Sequence, residues 1–399
     1  MRQPELDAVL GAMLDTHPGI SDLVFSVGRP LQVESFGELK EAVIANPAIR
    51  KLTHYQTEQL ALTIIGNQRH LLRDLVTRGA CDCSYALQER ARFRVNIFRQ
   101  RGNFAIIMRK GQSEMPSLNS LGLTPIFKDM AKEKNGLILV TGATGSGKTT
   151  TLSALLNEIN ETMAVHVVTL EDPIEYIHQH KKATFNQREL GADFDAFPNG
   201  LRSALRQAPK VILVGEMRDR ATVEIALTAA ETGHLVLSTI HTINAGQSIN
   251  RILGMFDLAE ETQLRLRLSE TLRYVVSQRL APKVNGGRIM VNEIMGSNLR
   301  TREAVALGEA EGRSFYEIIE ANATFGWTTF DQSIARAYQA GLVTEDTANL
   351  YATNKARMTR YIDGVKKQRG LENDTESGLK LDLESTTHDS YINLRMTNK

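Results

Sequence analysis

Residues 137–149 read LILVTGATGSGKT, and this stretch decides the fold. Its first five residues form a short apolar run, which is typical of a strand buried on both faces. The next eight match the pattern G-x-x-x-x-G-K-[ST], and a segment of helical character follows them. A strand, a glycine-rich turn and a helix in this order predict a loop that wraps a phosphate group at the amino end of the helix.

The residue types in this turn suit a nucleotide with a divalent cation. Lys148 is expected to reach the β- and γ-phosphates, and the Thr149 hydroxyl to ligate Mg²⁺. The glycines allow backbone N–H groups to turn inward around phosphate oxygens. The nucleotide-binding residues predicted here are Gly142, Ala143, Thr144, Gly145, Ser146, Gly147, Lys148, Thr149 and Thr150.

Further apolar runs predict a mostly parallel sheet around this strand. They cover residues 164–170, 211–215 and 234–240, and helical patterns separate them. Residues 255–362 are expected to be largely helical. The whole α/β unit, with its C-terminal helices, is predicted to span residues 123–363.

The segments that flank this unit differ from it in composition. Residues 1–112 combine helical and strand-like patterns and are interpreted as a smaller α+β domain. Residues 113–122 are polar with Gly and Pro, which favours a linker. Residues 364–399 are rich in charges of both signs and poor in large apolar groups, so we expect a disordered tail.

Overall composition excludes several classes of protein. The 47 Lys and Arg residues nearly balance the 46 Asp and Glu residues, which argues against non-specific coating of nucleic acid. No apolar stretch approaches the ~18–20 residues that span a bilayer, and the N-terminus lacks a secretory signal pattern. Two cysteines cannot form a four-thiolate zinc site. A cytoplasmic protein is expected.

Carboxylates follow two of the predicted strands. Glu216 comes just after the run 211–215, where it could polarise a water that attacks the γ-phosphate. Glu171, Asp172 and Glu175 follow the run 164–170, and three carboxylates so close repel one another unless a cation lies between them. We predict that these three serve the nucleotide and its Mg²⁺, with Glu175 as a metal ligand; the alternative is a capping cluster before a turn.

Two histidines and three arginines are further candidates for catalysis. His234 and His241 flank the run 234–240, and His241 is expected near the γ-phosphate. Arg92, Arg94 and Arg109 lie on strand-like segments of the first domain, and a neighbouring subunit could use them to complete its nucleotide site. The alternative for each arginine is a surface salt bridge.

Several motifs together resemble one family. The segments GATGSGKTTTL, TLEDPIEYIHQHK, FNQREL, LRSALRQAPKVILVGEMRD and AAETGHLVLSTIHT resemble, in order and spacing, the secretion-superfamily ATPases, and within them the pilus retraction motors of the PilT/PilU type. The N-terminal SDLVFSVGRPLQV is similar to the small PAS-like domain of that family. The resemblance implies an α/β fold, with a RecA-like P-loop ATPase domain and a smaller N-terminal PAS-like α+β domain.

The same resemblance implies a function and partners. It implies a homo-hexameric cytoplasmic ATPase that hydrolyses ATP with Mg²⁺ to retract type IV pili in twitching motility. The partners implied are an inner-membrane platform protein, which would hold the ring at the inner membrane, and other pilus ATPases; no nucleic acid is expected. The roles it implies are Walker A residues for Lys148 and Thr149, the acidic box for Glu175, the catalytic glutamate for Glu216, and a histidine box for His234 and His241.

Other functions remain open at this point. The stretch 208–210 (APK) replaces an acidic segment of the principal retraction motors, which favours an accessory retraction ATPase. Type II secretion or pilus assembly ATPases of the superfamily carry a tetra-cysteine motif, whereas this chain has only Cys81 and Cys83. A nucleic-acid motor would need a basic, aromatic groove, and the chain contains a single tryptophan, Trp327. A nucleotide-regulated scaffold would not need Glu216.

Overall fold

Two β-sheets, one in each half of the chain, organise the molecule. The structure is a computed structural model that describes residues 2–45, 49–88, 90–111 and 114–369. The first sheet has six strands and the second has seven. Each sheet has its own apolar core, and the domain boundaries expected from the sequence stay predictions.

The N-terminal domain is an antiparallel sheet packed against helices. Its elements are α1 (Gln3–Leu14), β1 (Ile20–Phe25), β2 (Gln32–Ser35), β3 (Glu38–Glu41), α2 (His54–Ile65), α3 (Arg69–Arg78), β4 (Ala80–Leu87), β5 (Ala91–Gln100) and β6 (Asn103–Lys110). The strand order is β3-β2-β1-β6-β5-β4. In β5, Phe93, Val95 and Ile97 are fully buried while Arg94 is exposed, as an alternation of period two requires.

The large domain contains the second sheet and most of the helices. Its elements are α4 (Ile126–Ala131), β7 (Gly136–Thr141), α5 (Lys148–Thr162), β8 (His166–Glu171), β9 (Thr184–Glu189), α6 (Phe197–Ala204), β10 (Val211–Val214), α7 (Arg220–Glu231), β11 (Leu235–Ile240), α8 (Ala245–Leu253), α9 (Glu261–Thr271), β12 (Leu272–Pro282), β13 (Arg288–Met295), α10 (Leu299–Leu307), α11 (Phe315–Ala321), α12 (Phe330–Gln339), α13 (Glu345–Tyr351) and α14 (Lys355–Gln368). Across the described ranges, none of the helices is long and apolar enough to span a membrane.

Parallel pairing in the second sheet brings the ends of its strands to one edge. The strand order is β13-β12-β7-β11-β10-β8-β9, and the pairs β7/β11, β11/β10, β10/β8 and β8/β9 are all parallel. Every residue of β7 and β11 is buried, as expected for strands covered by helices on both faces. The strands predicted at 137–141, 164–170, 211–215 and 234–240 correspond to β7, β8, β10 and β11.

The hairpin β12–β13 corrects the expectation of a largely helical C-terminal region. β12 pairs in parallel with β7, and β13 pairs antiparallel with β12. Val275 and Val276 are fully buried under this pairing. A short apolar run has no periodicity that separates a strand from a helix, and here the partner strand lies more than a hundred residues earlier in the chain.

Two further segments differ from their predicted extents. The tail predicted to begin at residue 364 is helical as far as Gln368, because Val365 is buried and Lys366 forms an ion pair of 2.6 Å with Glu345. The remainder of that tail, residues 370–399, lies outside the described residues. In the predicted linker 113–122, Leu118 is 3% exposed and belongs to the core of the large domain, so the second half of the linker is anchored.

We expect Leu118→Ala to lower the free energy of unfolding of the large domain by about 2–4 kcal/mol, because it leaves a cavity in a packed core. Trp327, the single tryptophan, lies in the same core, so urea denaturation followed by its fluorescence reports this domain. Leu350→Ala removes a leucine that is 71% exposed and should cost less than about 0.5 kcal/mol. Equal midpoints for the two variants would contradict the anchoring of the linker.

Candidate active site

The phosphate loop connects the end of β7 to the start of α5. Gly142 has a φ of 147°, and a Cβ atom there would lie 2.5 Å from Ser146 Oγ and 2.6 Å from the backbone oxygen of Gln278. Only glycine therefore fits this position. Gly147 has a φ of 91° and is the N-cap residue of α5. The loop thus ends on the amino terminus of a helix, which is a favourable place for an anion.

Lys148 and Ser146 carry the polar atoms that a phosphate would engage. The Lys148 side chain is buried, and its Nζ donates hydrogen bonds to the backbone oxygens of Gly142 (2.9 Å) and Ala143 (3.0 Å). Burial lowers the pKa of Lys148, and the charge of Glu216 partly offsets this. Ser146 Oγ is buried without a hydrogen-bond partner. An unpaired buried hydroxyl is costly, so these residues fit a loop completed by a ligand.

Glu171 ends β8 as a buried carboxyl group. Its Oε1 accepts hydrogen bonds from Thr169 Oγ1 (2.7 Å) and Gln187 Nε2 (3.1 Å). Desolvation raises the pKa of Glu171 to about 7, although these two hydrogen bonds act in the opposite direction. The other acidic residues of this segment, Asp172 and Glu175, are exposed. Partial desolvation and the charge of Glu216 raise the pKa of Asp172.

Glu216 lies just beyond β10, held between two basic side chains. Its Oε1 is 2.6 Å from Arg218 Nη2, and its Oε2 is 3.6 Å from His241 Nε2. The Glu216 side chain is only 12% exposed. Partial desolvation and, secondarily, the charge of Lys148 lower the pKa of His241. The carboxylate is thus oriented from both sides.

One cleft of about 490 Å³ brings most of the predicted site together. Its lining includes Thr144, Gly145, Gly147, Lys148, Thr149, Thr150, Glu171, Asp172, Glu175, Glu216 and His241. Leu280 and Arg288, which are absent from the predicted site residues, also line this cleft. They belong to the β12–β13 hairpin, and no local motif marks them because their position depends on pairing with β7.

His234 lies at the opposite edge of the sheet from His241. It precedes the first residue of β11, and its Nδ1 contacts the backbone oxygen of Ala229 at 3.0 Å. A strand of six residues spans roughly 20 Å, so within one chain His234 cannot reach the phosphate loop. The two histidines thus flank β11 at its opposite ends, and the catalytic role of His234 stays a prediction.

The three predicted interfacial arginines line a second cleft of about 730 Å³, between the domains. Arg92 forms an ion pair with Glu189, and Arg109 with Asp22 at 2.9 Å. Arg94 is exposed and opposes the rise in the pKa of Asp172. The two clefts share Thr150, Pro173 and Glu175 among their lining residues. The catalytic roles of the arginines stay predictions, and two of the side chains already have partners within the chain.

A phosphate loop after one parallel strand, with a carboxylate after another strand of the same sheet, defines the class of P-loop nucleoside triphosphatases. Comparison with known proteins identifies the family within this class. The family model described as "Type II/IV secretion system protein" matches residues 83–347, which is more than half of the chain. The chain belongs to this family.

Individual relatives agree with this assignment. The retraction ATPase PilT of the type IV pilus of Pseudomonas aeruginosa is 38% identical over 330 residues, which cover 83% of this chain and 93% of PilT. The type IV pilus ATPase PilU of the same organism is 34% identical over 382 residues, which cover 95% of this chain and 97% of PilU. A crystal structure of the pilus retraction motor PilT with bound ADP has a TM-score of 0.78 and 36% identity, covering 90% of this chain and 99% of that one. The family and the α/β ATPase fold predicted from the sequence are confirmed.

We expect Glu171→Gln to stabilise the protein increasingly as the pH rises from about 4.5 to 7. In that range the folded protein holds a proton on Glu171 that the unfolded chain has released, so wild-type stability falls as the pH rises. A rise in the pKa of Glu171 from 4.5 to about 7 lowers the wild-type free energy of unfolding above pH 7 by on the order of 3 kcal/mol, relative to its value below pH 4. Below pH 4 Glu171 is protonated in both the folded and the unfolded wild-type protein, so Glu171→Gln should no longer be more stable than wild type.

The measurement is the free energy of urea unfolding from pH 4 to 8, followed by Trp327 fluorescence. Glu224→Gln, a change of an exposed glutamate on α7, is the matched control for loss of one negative charge. A difference between Glu171→Gln and wild type that stays constant across this range would show that Glu171 is not the buried group described above.

Proposed function

We propose that this chain is an ATPase motor of type IV pilus retraction, and that its 490 Å³ cleft hydrolyses ATP. The observation that carries this proposal is the convergence of Lys148, Glu216 and His241 on one edge of the parallel sheet. The relatives PilT and PilU, named as ATPases of the type IV pilus, support the biological assignment.

ATP would bind with its phosphates at the loop between β7 and α5. Lys148 would exchange its contacts with Gly142 and Ala143 for phosphate oxygens, which is favourable because a phosphate pairs its charge. The buried Ser146 hydroxyl would gain a partner in the same step. The similar PilT structure contains bound ADP, and this supports nucleotide binding by the present chain.

Magnesium fits this site as a cation held jointly with the nucleotide. Among the described residues, no cluster of three or more His, Cys, Asp and Glu side chains could hold a metal ion by itself. Mg²⁺ favours one or two protein oxygens together with water and substrate phosphates, and the Thr149 hydroxyl and Glu175 carboxylate are oxygen donors that line the cleft. When bound, Mg²⁺ would neutralise charge on the phosphates.

Glu216 is the proposed general base. Its carboxylate would accept a proton from the water that attacks the γ-phosphorus, while His241 and Arg218 hold its orientation. General-base catalysis requires a carboxylate that is ionised and within hydrogen-bond reach of the water. In the structure, Arg218 Nη2 lies 2.6 Å from one oxygen of this carboxylate and His241 Nε2 lies 3.6 Å from the other.

We further propose a homo-hexameric ring in which each nucleotide lies between subunits. Arg94 and Arg109 are both exposed at the 730 Å³ cleft. Arg109 is already paired with Asp22, so Arg94 is the better placed to approach a neighbouring subunit. The ring would be cytoplasmic and would work on an inner-membrane platform protein beside other pilus ATPases. The names of the relatives support attachment to the pilus machinery.

A second candidate is the accessory form of the retraction ATPase. The PilU alignment covers 95% of 399 residues, which leaves about 20 residues unaligned. Part of the segment 364–399 must therefore have a counterpart in PilU. The PilT alignment covers 83% of the chain, although its identity is higher. The stretch 208–210 also favours the accessory form.

We expect Glu216→Gln to bind ATP with nearly wild-type affinity and to hydrolyse it about 10²–10⁴-fold more slowly, because an amide cannot accept the proton of the water. Phosphate release and binding of a non-hydrolysable ATP analogue are the two measurements. Lys148→Ala should instead lose most of its nucleotide affinity, since it removes the charge that holds the phosphates.

Glu224→Gln is the matched control, because it makes the same chemical change on the exposed face of α7. It should hydrolyse ATP at the wild-type rate. Wild-type turnover by Glu216→Gln would remove Glu216 from the role of base, while the binding data for Lys148→Ala would still test the phosphate loop.

Deletion of the gene separates the two candidate functions. A principal retraction motor predicts excess pili and loss of twitching motility, because assembled pili are no longer withdrawn. The accessory form predicts a normal number of pili that pull with less force. Complementation with Glu216→Gln should fail and with Glu224→Gln should succeed. Normal pili with normal motility and force in the deletion strain would contradict both forms.

A further inference from the structure

Strand β9 presents two polar side chains on one face, and both hold the segment that follows β8. Gln187 Oε1 accepts a hydrogen bond from the backbone nitrogen of His178 (2.8 Å), and Gln187 Nε2 donates one to the backbone oxygen of Tyr176 (2.8 Å). Glu189 Oε2 accepts a hydrogen bond from the backbone nitrogen of Ile174 (3.1 Å). Alternate residues of the strand thus hold alternate residues of the segment 172–178, which we call the acidic loop.

Glu189 also contacts the N-terminal domain. Its carboxylate forms an ion pair with Arg92 of β5, and it accepts a hydrogen bond from Ser84 Oγ of β4 at 2.5 Å. Arg92 also donates a hydrogen bond to Ser84 Oγ at 2.9 Å. The Glu189 side chain is only 8% exposed and that of Arg92 is 22% exposed. One buried carboxylate therefore binds the acidic loop and the other domain at once.

These shared contacts have an energetic consequence. A buried, paired charge that loses its partner is destabilised until water or another group replaces the lost interaction. A rotation of the N-terminal domain that removes Arg92 would therefore leave Glu189 uncompensated and favour its movement toward solvent. That movement would release the backbone nitrogen of Ile174, which is two residues from Asp172 and next to Glu175.

We propose that Glu189 is a positioning residue that couples the orientation of the N-terminal domain to the placement of the acidic loop at the nucleotide cleft. With Arg92 engaged, the loop is held at Ile174, and Asp172 and Glu175 face the cleft that they line. With Arg92 withdrawn, the loop loses this contact. The part of the proposal that concerns catalysis rests on the proposed ATPase function, whereas the physical coupling does not.

Hydrogen exchange of the acidic loop tests the coupling without any activity. Arg92→Gln changes a residue of the other domain, yet it should speed exchange of the Ile174 amide about tenfold or more, since local opening sets that rate. Exchange of the His178 amide, which Gln187 holds, should change less. Arg90→Gln is the matched control, because it breaks an exposed ion pair with Asp15 inside the N-terminal domain and should leave the loop unchanged.

Glu189→Gln separates the two roles of this carboxylate. The amide oxygen can still accept the hydrogen bond from Ile174, but the charge that pairs with Arg92 is gone. Faster exchange at Ile174 in both Glu189→Gln and Arg92→Gln is expected. Unchanged exchange at Ile174 in Arg92→Gln would overturn the proposal, because the loop would then be held independently of the N-terminal domain.

Steady-state ATP hydrolysis tests the link to catalysis. Each single variant should lower kcat about tenfold while KM and ADP affinity stay within about threefold, and the double variant should be no worse than either single one. A loss in the double variant equal to the product of the single losses would overturn the proposal. So would a loss in Arg92→Gln far larger than in Glu189→Gln, since Arg92 would then act on a nucleotide directly.

Failure of the proposed function has a different signature. If Lys148→Ala hydrolyses ATP at the wild-type rate, the chain is not the ATPase proposed above. The exchange measurements at Ile174 would still decide whether Glu189 couples the two domains.

Discussion

In-register pairing of parallel strands is the constraint on which the rest of the structure depends. Thr141 at the end of β7 lies opposite Ile240 at the end of β11, and Val214 of β10 lies between Ser238 and Leu170. Because these strands run in one direction and end at similar levels, the residues that follow them emerge at the same edge. The phosphate loop, the acidic loop, Glu216 and His241 are neighbours for this reason, although they come from segments spread over a hundred residues.

The electrostatics of this edge follow from its partial burial. Lys148 has a lowered pKa and Glu171 a raised one, so desolvation disfavours the charge of both groups. Glu216 keeps two basic neighbours, Arg218 and His241. A triphosphate would bring negative charge next to Lys148 and strengthen its cationic form. A bound triphosphate would thus supply the negative charge that the buried Lys148 ammonium lacks in the protein alone.

Two physical connections join the domains beside this cleft. The chain itself runs from β6 to Leu118, which is packed into the core of the large domain. The second connection is the buried contact of Glu189 with Arg92 and Ser84. In the motor proposed above, loss of a phosphate would move one domain against the other, and the contact of Glu189 with Arg92 is placed to respond to that movement. Arg92, which the sequence suggested for the nucleotide site of a neighbouring subunit, therefore also forms an ion pair within its own chain.

Local sequence alone determined the phosphate loop, the four central strands and the acidic residues after them, since a strand, a glycine-rich turn and a helix follow from neighbouring residues. It also determined the family, because the motifs occur in a characteristic order. Only the tertiary structure decided that residues 272–295 form a hairpin and that Arg92 meets Glu189. Each of these depends on contacts between distant segments. The short apolar run of β12 has the same pattern whether it becomes a strand beside β7 or a buried helix.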